Sequence, residues 1–274
     1  MKPLAAALQL SPIWCEVLRA DEQQADLRIT LDEAPAFDGI VLNLSENSKL
    51  GLSVKEKHLG DKLPAFCPER HINDDGSFCI KLGSDRHFNT AQEYSEWWYA
   101  LGEYFKGQYY AEETGFWPLT MGLSHGDAVK EQLQIERLLA DHPRLRTEAL
   151  QGMFRRKGWL GWTLPRLSNK QQLFDPGGPC PRGCKGACKL NAVETVEIAN
   201  RADCNNKKSV AIRDCKNARL LAKIVAKEGK RRGRERKLIK QIIDVKSKRR
   251  QRKLSKHCCG SMKICPLRDW NRWR

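Results

Sequence analysis

The stretch ERHINDDGSFCIKL, residues 69–82, places His71, Asn73, Gly76 and Cys79 within a few positions of one another. Glycine readily takes positive φ, so NDDG reads as a tight turn that delivers the chain to Cys79. A cysteine nucleophile needs an exposed sulfur, surroundings that permit the thiolate, and a donor for the oxyanion formed on attack at a carbonyl. Asn73 is near enough in sequence to supply a side-chain N–H. His71 is either a general base or a residue that holds the loop through backbone groups. Local chemistry alone favours the plainer alternative, a buried strand cysteine between Phe78 and Ile80.

The flanking elements shift that balance. Upstream, residues 13–19, 25–31, 38–45 and 50–54 read as four short strands joined by polar turns, with Ile40, Leu42 and Leu44 alternating in the third. Such close spacing predicts an antiparallel meander. Downstream, NTAQEYSEWWYALGEYFKGQ carries a capping box, Thr90 with Glu93, and an apolar stripe of Tyr94, Trp97, Trp98, Leu101 and Phe105. That stripe reads as packing against the sheet. Further helices are expected from Ser124 to Asp141 and over 145–156, so the first domain reads as α+β, residues 1–156.

This order of elements resembles the ubiquitin-conjugating-enzyme fold. In that family a His-Pro-Asn element precedes a Gly-x-aliphatic-Cys-Leu segment. Here HIN matches it at His71 and Asn73, with Ile72 in the proline position, and GSFCI matches it at Gly76, Cys79 and Ile80. The likeness is to divergent bacterial conjugating-enzyme-like proteins, which occur with ubiquitin-like modifiers, activating-type enzymes and JAB-type deconjugating proteases, often in phage-defence clusters. The resemblance implies a transferase. Cys79 would accept a modifier C-terminus as a thioester and pass it to an amine or thiol. Asn73 would stabilise the oxyanion, and His71 would fix the loop. Asp85, Glu112 and Glu113 are the acidic candidates for assisting an incoming lysine. Cys15 and Cys67 read as packing residues, with Cys67 close enough in sequence to form a disulfide with Cys79.

The rest of the chain differs in composition. Residues 1–150 hold 15 Lys and Arg against 24 Asp and Glu, a net −9, whereas residues 151–274 hold 34 against 9, a net +25. So sharp a break separates two kinds of partner, and the second half should be drawn to nucleic acid or an acidic protein surface. Residues 157–179 read as a linker, and residues 180–274 as a small, mostly α, cysteine-rich domain. Its Cys180, Cys184, Cys188, Cys204, Cys215, His257, Cys258, Cys259 and Cys265 supply enough soft ligands for two structural zinc ions. With few large apolar side chains, such a domain needs metal staples. Gly229 and Gly233 are expected to separate two basic helices. The longest early apolar run, PLAAALQL, is too short to span a bilayer. The chain therefore reads as cytoplasmic, in a reducing compartment. An alternative to the transferase is a non-catalytic scaffold whose basic tail does the binding.

Overall fold

Alternation of apolar residues along the third strand segment determines where the sheet finds its core. In the computed structural model, which describes residues 2–47, 51–80, 88, 90–167, 218–250 and 259–268, one four-stranded sheet is present. Its strands are β1 (Cys15–Ala20), β2 (Gln24–Ile29), β3 (Ile40–Asn47) and β4 (Gly51–Glu56). They pair antiparallel in the order β1-β2-β3-β4, the expected meander. Leu27 lies opposite Leu42, Ile29 opposite Ile40, and Leu44 opposite Val54. All six side chains are buried, each contributing about 1.5–3 kcal/mol by leaving water. The edge strand β1 is exposed beyond Cys15, and its register with β2 shifts between Val17 and Arg19.

Helix α1 (Pro3–Gln9) starts at a proline, which suits a first helical turn. Helix α2 (Ala91–Thr114) begins at the expected capping box. Thr90 Oγ1 accepts from the Glu93 N–H at 3.2 Å, and Glu93 returns a bond to the Thr90 N–H at 3.0 Å. The helix ends at Gly115, in the left-handed conformation. Tyr94, Trp97, Trp98, Leu101 and Phe105 are all buried. The Trp98 indole donates to the Ala7 carbonyl at 2.9 Å and meets Trp14 edge-on, which ties α1 to α2.

The chain divides into two compact units, Met1–Met121 with Lys246–Trp273, and Gly122–Val245 with Arg274. The first therefore takes back a C-terminal segment, in which Met262, Cys265 and Leu267 are buried. Lys263 anchors it, its N–H donating to the Gly115 carbonyl at 2.8 Å and its ammonium lying over the Phe116 ring.

The second unit holds α3 (Ala128–Leu138), α4 (Pro143–Arg155) and most of α5 (Ala218–Arg250). Its core joins Ile135, Leu139, Leu145, Ala149 and Met153 to Trp159, Leu160, Leu221, Ile224 and Val225. Three expectations change here. The expected boundary at 156 falls inside this unit. The start of the expected linker is core, because Trp159 and Leu160 supply apolar area to a small helical unit that has little else to bury. Helix α5 runs unbroken through Gly229 and Gly233; glycine lowers helix propensity without ending a helix whose apolar face is packed on either side. Residues 168–217 and 251–258, which carry most of the ligands of the expected zinc-stapled domain, lie outside the described residues.

Basic residues of α5 are partly turned inward. Arg231, fully buried, donates to Glu228 Oε2 at 2.6 Å, Glu235 Oε2 at 3.0 Å and Ser124 Oγ at 2.9 Å. Arg232 bonds Glu228 and the backbone carbonyls of Leu160 and Trp162. Arg156 completes the network with Glu228 and Glu235. Paired charges withdrawn from water in this way hold the helices together, so part of the KRRGRERK run is internal structure. Among the described residues no helix is long and apolar enough to cross a membrane.

Candidate active site around Cys79

After β4 the chain forms a folded strap from residue 67 to residue 79. Cys67 and Ile72 exchange backbone hydrogen bonds of 3.2 and 2.9 Å around a 3₁₀ turn, Pro68–Arg70. Ile72 in turn bridges Phe78, whose N–H reaches the Val54 carbonyl at 2.9 Å. His71 closes the first turn with φ of +55°, a left-handed conformation unusual for a non-glycine residue. Gly76 closes the second with φ of +82°. A Cβ at Gly76 would meet only the exposed end of the Leu59 side chain, so it is the positive φ that calls for glycine there.

These turns set the position of Cys79. Its N–H donates to the His71 carbonyl at 2.8 Å, while the residue itself is exposed and its thiol reduced. The expected alternative, a buried strand cysteine, does not describe this position: Phe78 next to it takes the core side and Cys79 faces out.

His71 is buried, and its ring lies 5.0 Å from that of Trp117. Its backbone carbonyl accepts the Cys79 N–H. Asn73 is exposed. Its side-chain amide donates to Ser77 Oγ at 3.0 Å, and Ser77 Oγ donates onward to Asp75 Oδ1 at 2.6 Å. The Ser77 N–H reaches the same carboxylate at 2.9 Å. Burial tends to raise the Asp75 pKa, but the two bonds from Ser77 outweigh it and hold the carboxyl below its usual range. Asn73 is thus oriented by Ser77, two residues before Cys79.

Helix α2 supports the strap from behind. Phe78 stacks on Tyr104, with ring centres 4.9 Å apart, and meets Phe105 edge-on. The Arg70 carbonyl accepts from the Tyr104 hydroxyl at 3.2 Å and the Gln108 amide at 2.8 Å. Arg70 is itself buried, donating to Gln108 Oε1 at 2.6 Å, Glu112 Oε2 at 2.7 Å and Ser261 Oγ at 3.3 Å. Glu112 is thereby engaged in holding the strap, and Glu113 is exposed on α2. Asp85 lies outside the described residues. The supporting residues Arg70, Ser77, Tyr104 and Gln108 are not among those singled out from the sequence. The i, i+4 spacing of Tyr104 and Gln108 beside the aromatic stripe was the available signal.

Two of the nine candidate metal ligands are described, Cys259 and Cys265; the other seven, Cys180, Cys184, Cys188, Cys204, Cys215, His257 and Cys258, are not. Among the described residues no group of three or more His, Cys, Asp and Glu side chains is arranged to hold a metal ion. Cys259 lies instead against Cys67, with their sulfurs 3.2 Å apart. The hydrogen bond between them, together with burial, raises the Cys67 pKa well above that of an ordinary thiol; the same bond lowers that of Cys259 against the opposing effect of its burial. Cys15 is a packing residue, its thiol pushed up to about 12 by burial.

The first unit thus combines an antiparallel meander, a twice-turned strap that presents an exposed cysteine, and a supporting aromatic helix. Residues 19–119 match the family model of the prokaryotic E2 domain, a span that runs from the end of β1 through α2 and includes the whole strap. No curated protein and no solved structure gives a significant match to the chain.

Proposed function

We propose that the chain is a thioester-carrying transferase of a ubiquitin-like conjugation system, with Cys79 as the carrier. The observation that carries this is the placement of Cys79 within the matched domain. It is exposed at the end of a glycine-gated turn and fixed through its N–H to His71. In the first step the Cys79 thiolate attacks the modifier's C-terminal thioester carbonyl on an activating-type enzyme. The C–S bond to that enzyme breaks and its cysteine leaves as thiolate. In the second, a substrate amine or thiol attacks the Cys79 thioester, losing its proton, and Cys79 leaves as thiolate. Asn73, once its amide turns from Ser77 to the reacting carbonyl, donates to the oxyanion. His71 holds the loop and transfers no proton.

The partners that follow are a ubiquitin-like modifier, an activating-type enzyme and a JAB-type deconjugating protease. The exposed basic residues of α5 and the tail recruit nucleic acid or an acidic protein. Structural zinc is held by ligands drawn from Cys180, Cys184, Cys188, Cys204, Cys215, His257, Cys258, Cys259 and Cys265.

The test is incubation with the cognate activating enzyme, modifier and ATP, resolved by electrophoresis with and without thiol reductant. A reductant-sensitive adduct that disappears in Cys79→Ala is expected. Its absence with active components would leave the non-catalytic scaffold as the better reading.

A further inference from the structure

The geometry points to a second thiol site: Cys259 and Cys67 form a dithiol that a peroxide oxidises to an intramolecular disulfide. The two sulfurs stand 3.2 Å apart, so bonding them at about 2.05 Å requires a movement of only about 1 Å. Their exposures differ in the way an oxidation relay requires. Cys259 is partly exposed, whereas Cys67 is 1% exposed, so an oxidant meets Cys259 first and Cys67 is placed to resolve it.

Both backbones are held. Cys67 is pinned by its paired hydrogen bonds with Ile72, and the segment carrying Cys259 turns at Gly260 and is tied by Lys263 to Gly115. Ser261 Oγ lies 3.1 Å from the Cys259 sulfur and accepts from Arg70, which fixes the sulfur over Cys67. Cys259 lies outside residues 19–119, so the pair joins a tail residue to the matched domain. Cys79, which the sequence suggested as the disulfide partner of Cys67, is the exposed cysteine of a different turn.

The chemistry balances with one peroxide. The Cys259 thiolate attacks an oxygen of hydrogen peroxide and breaks the O–O bond, giving a sulfenic acid and hydroxide. The Cys67 sulfur then attacks the Cys259 sulfur and expels the second oxygen as hydroxide. The two thiol protons convert both hydroxides to water, and two thiols become one disulfide.

The full-length, reduced protein is treated with a small excess of hydrogen peroxide, alkylated, digested with trypsin and analysed by mass spectrometry. The expected product is peptide 63–70 joined to peptide 257–263, lighter by two hydrogens than the separate thiol peptides. It should form in Cys258→Ser, Cys79→Ser and Cys265→Ser, and be lost in Cys259→Ser. Cys259→Ser carries the test because its side chain is not fully buried, and its circular dichroism should match that of the parent. Three results would overturn the assignment. One is no cross-link after the peroxide is consumed. Another is a cross-link of Cys67 to Cys79 or Cys265. The third is zinc in the reduced protein that is lost in Cys259→Ser, which would make the pair metal ligands. None of these readouts depends on thioester transfer by Cys79.

Discussion

Two fully buried arginines, one in each unit, are held in opposite ways. Arg231 of the second unit is enclosed by two carboxylates, Glu228 and Glu235, both themselves buried. Arg70 of the first is equally buried but has one carboxylate, Glu112, which is 49% exposed, with an amide and a hydroxyl making up the rest. Its Nη2 has no hydrogen-bond partner among the described residues. The second unit uses its arginine as a structural tie whose charge is cancelled on the spot. The first uses it as a bracket under a loop, with its backbone carbonyl gripped by Tyr104 and Gln108. One arrangement serves stability alone; the other serves the position of the residues that follow it, His71 to Cys79.

The contrast can be broken by substitution. Arg231→Met removes the cation closest to Glu228 and Glu235 and leaves them to Arg156 and Arg232, which should destabilise the second unit by about 3–5 kcal/mol. Chemical denaturation followed by circular dichroism would show this, and a change under about 1 kcal/mol would mean that the carboxylates regain water or protons. Arg70→Met should cost less, about 1–3 kcal/mol, because Glu112 is already partly in water. Its larger effect should be on the strap, read as a fall in the yield of the Cys79 adduct at a temperature where the protein remains folded.

The smallest effect is expected from Ser77→Ala, about 0.5–1 kcal/mol, through loss of the bonds to Asn73 and Asp75. Its pH dependence gives the sharper reading. The Asp75 carboxyl is held below its usual range in the folded state, so the stability it lends is present above the unfolded-state pKa. That stability is lost as the pH falls through the folded value. The gap between the parent and Ser77→Ala should therefore be open at neutral pH and close in acid. A gap that stays constant would show that Ser77 acts by packing alone.

What could be read from the sequence was whatever is written at short range. The capping box at Thr90 and Glu93, the buried stripe of α2 and the alternation of β3 all follow from spacings of two to four residues. The turn at Gly76 is equally local. Cys67 against Cys259, by contrast, joins positions 192 apart in the chain, and no periodicity encodes that. The inward turn of Arg231 and Arg232 was hidden for another reason. Composition counts charges without their partners, and Glu228 and Glu235 lie on the same helical face at offsets of three and four. Trp159 and Leu160 fall in a segment that reads as a linker because it is aperiodic; its large aromatics are the one hint of docking, and they do not say onto what.

The register shift in β1 has a consequence for how the molecule behaves in company. An edge strand exposed on both faces, with Val17 and Leu18 in water, offers its unpaired backbone to any neighbouring chain. The irregularity between Val17 and Arg19 interrupts that row of donors and acceptors in mid-strand and bends it. A second copy meeting this edge would find its straight run broken between Val17 and Arg19, which works against extension of the sheet from one molecule to the next.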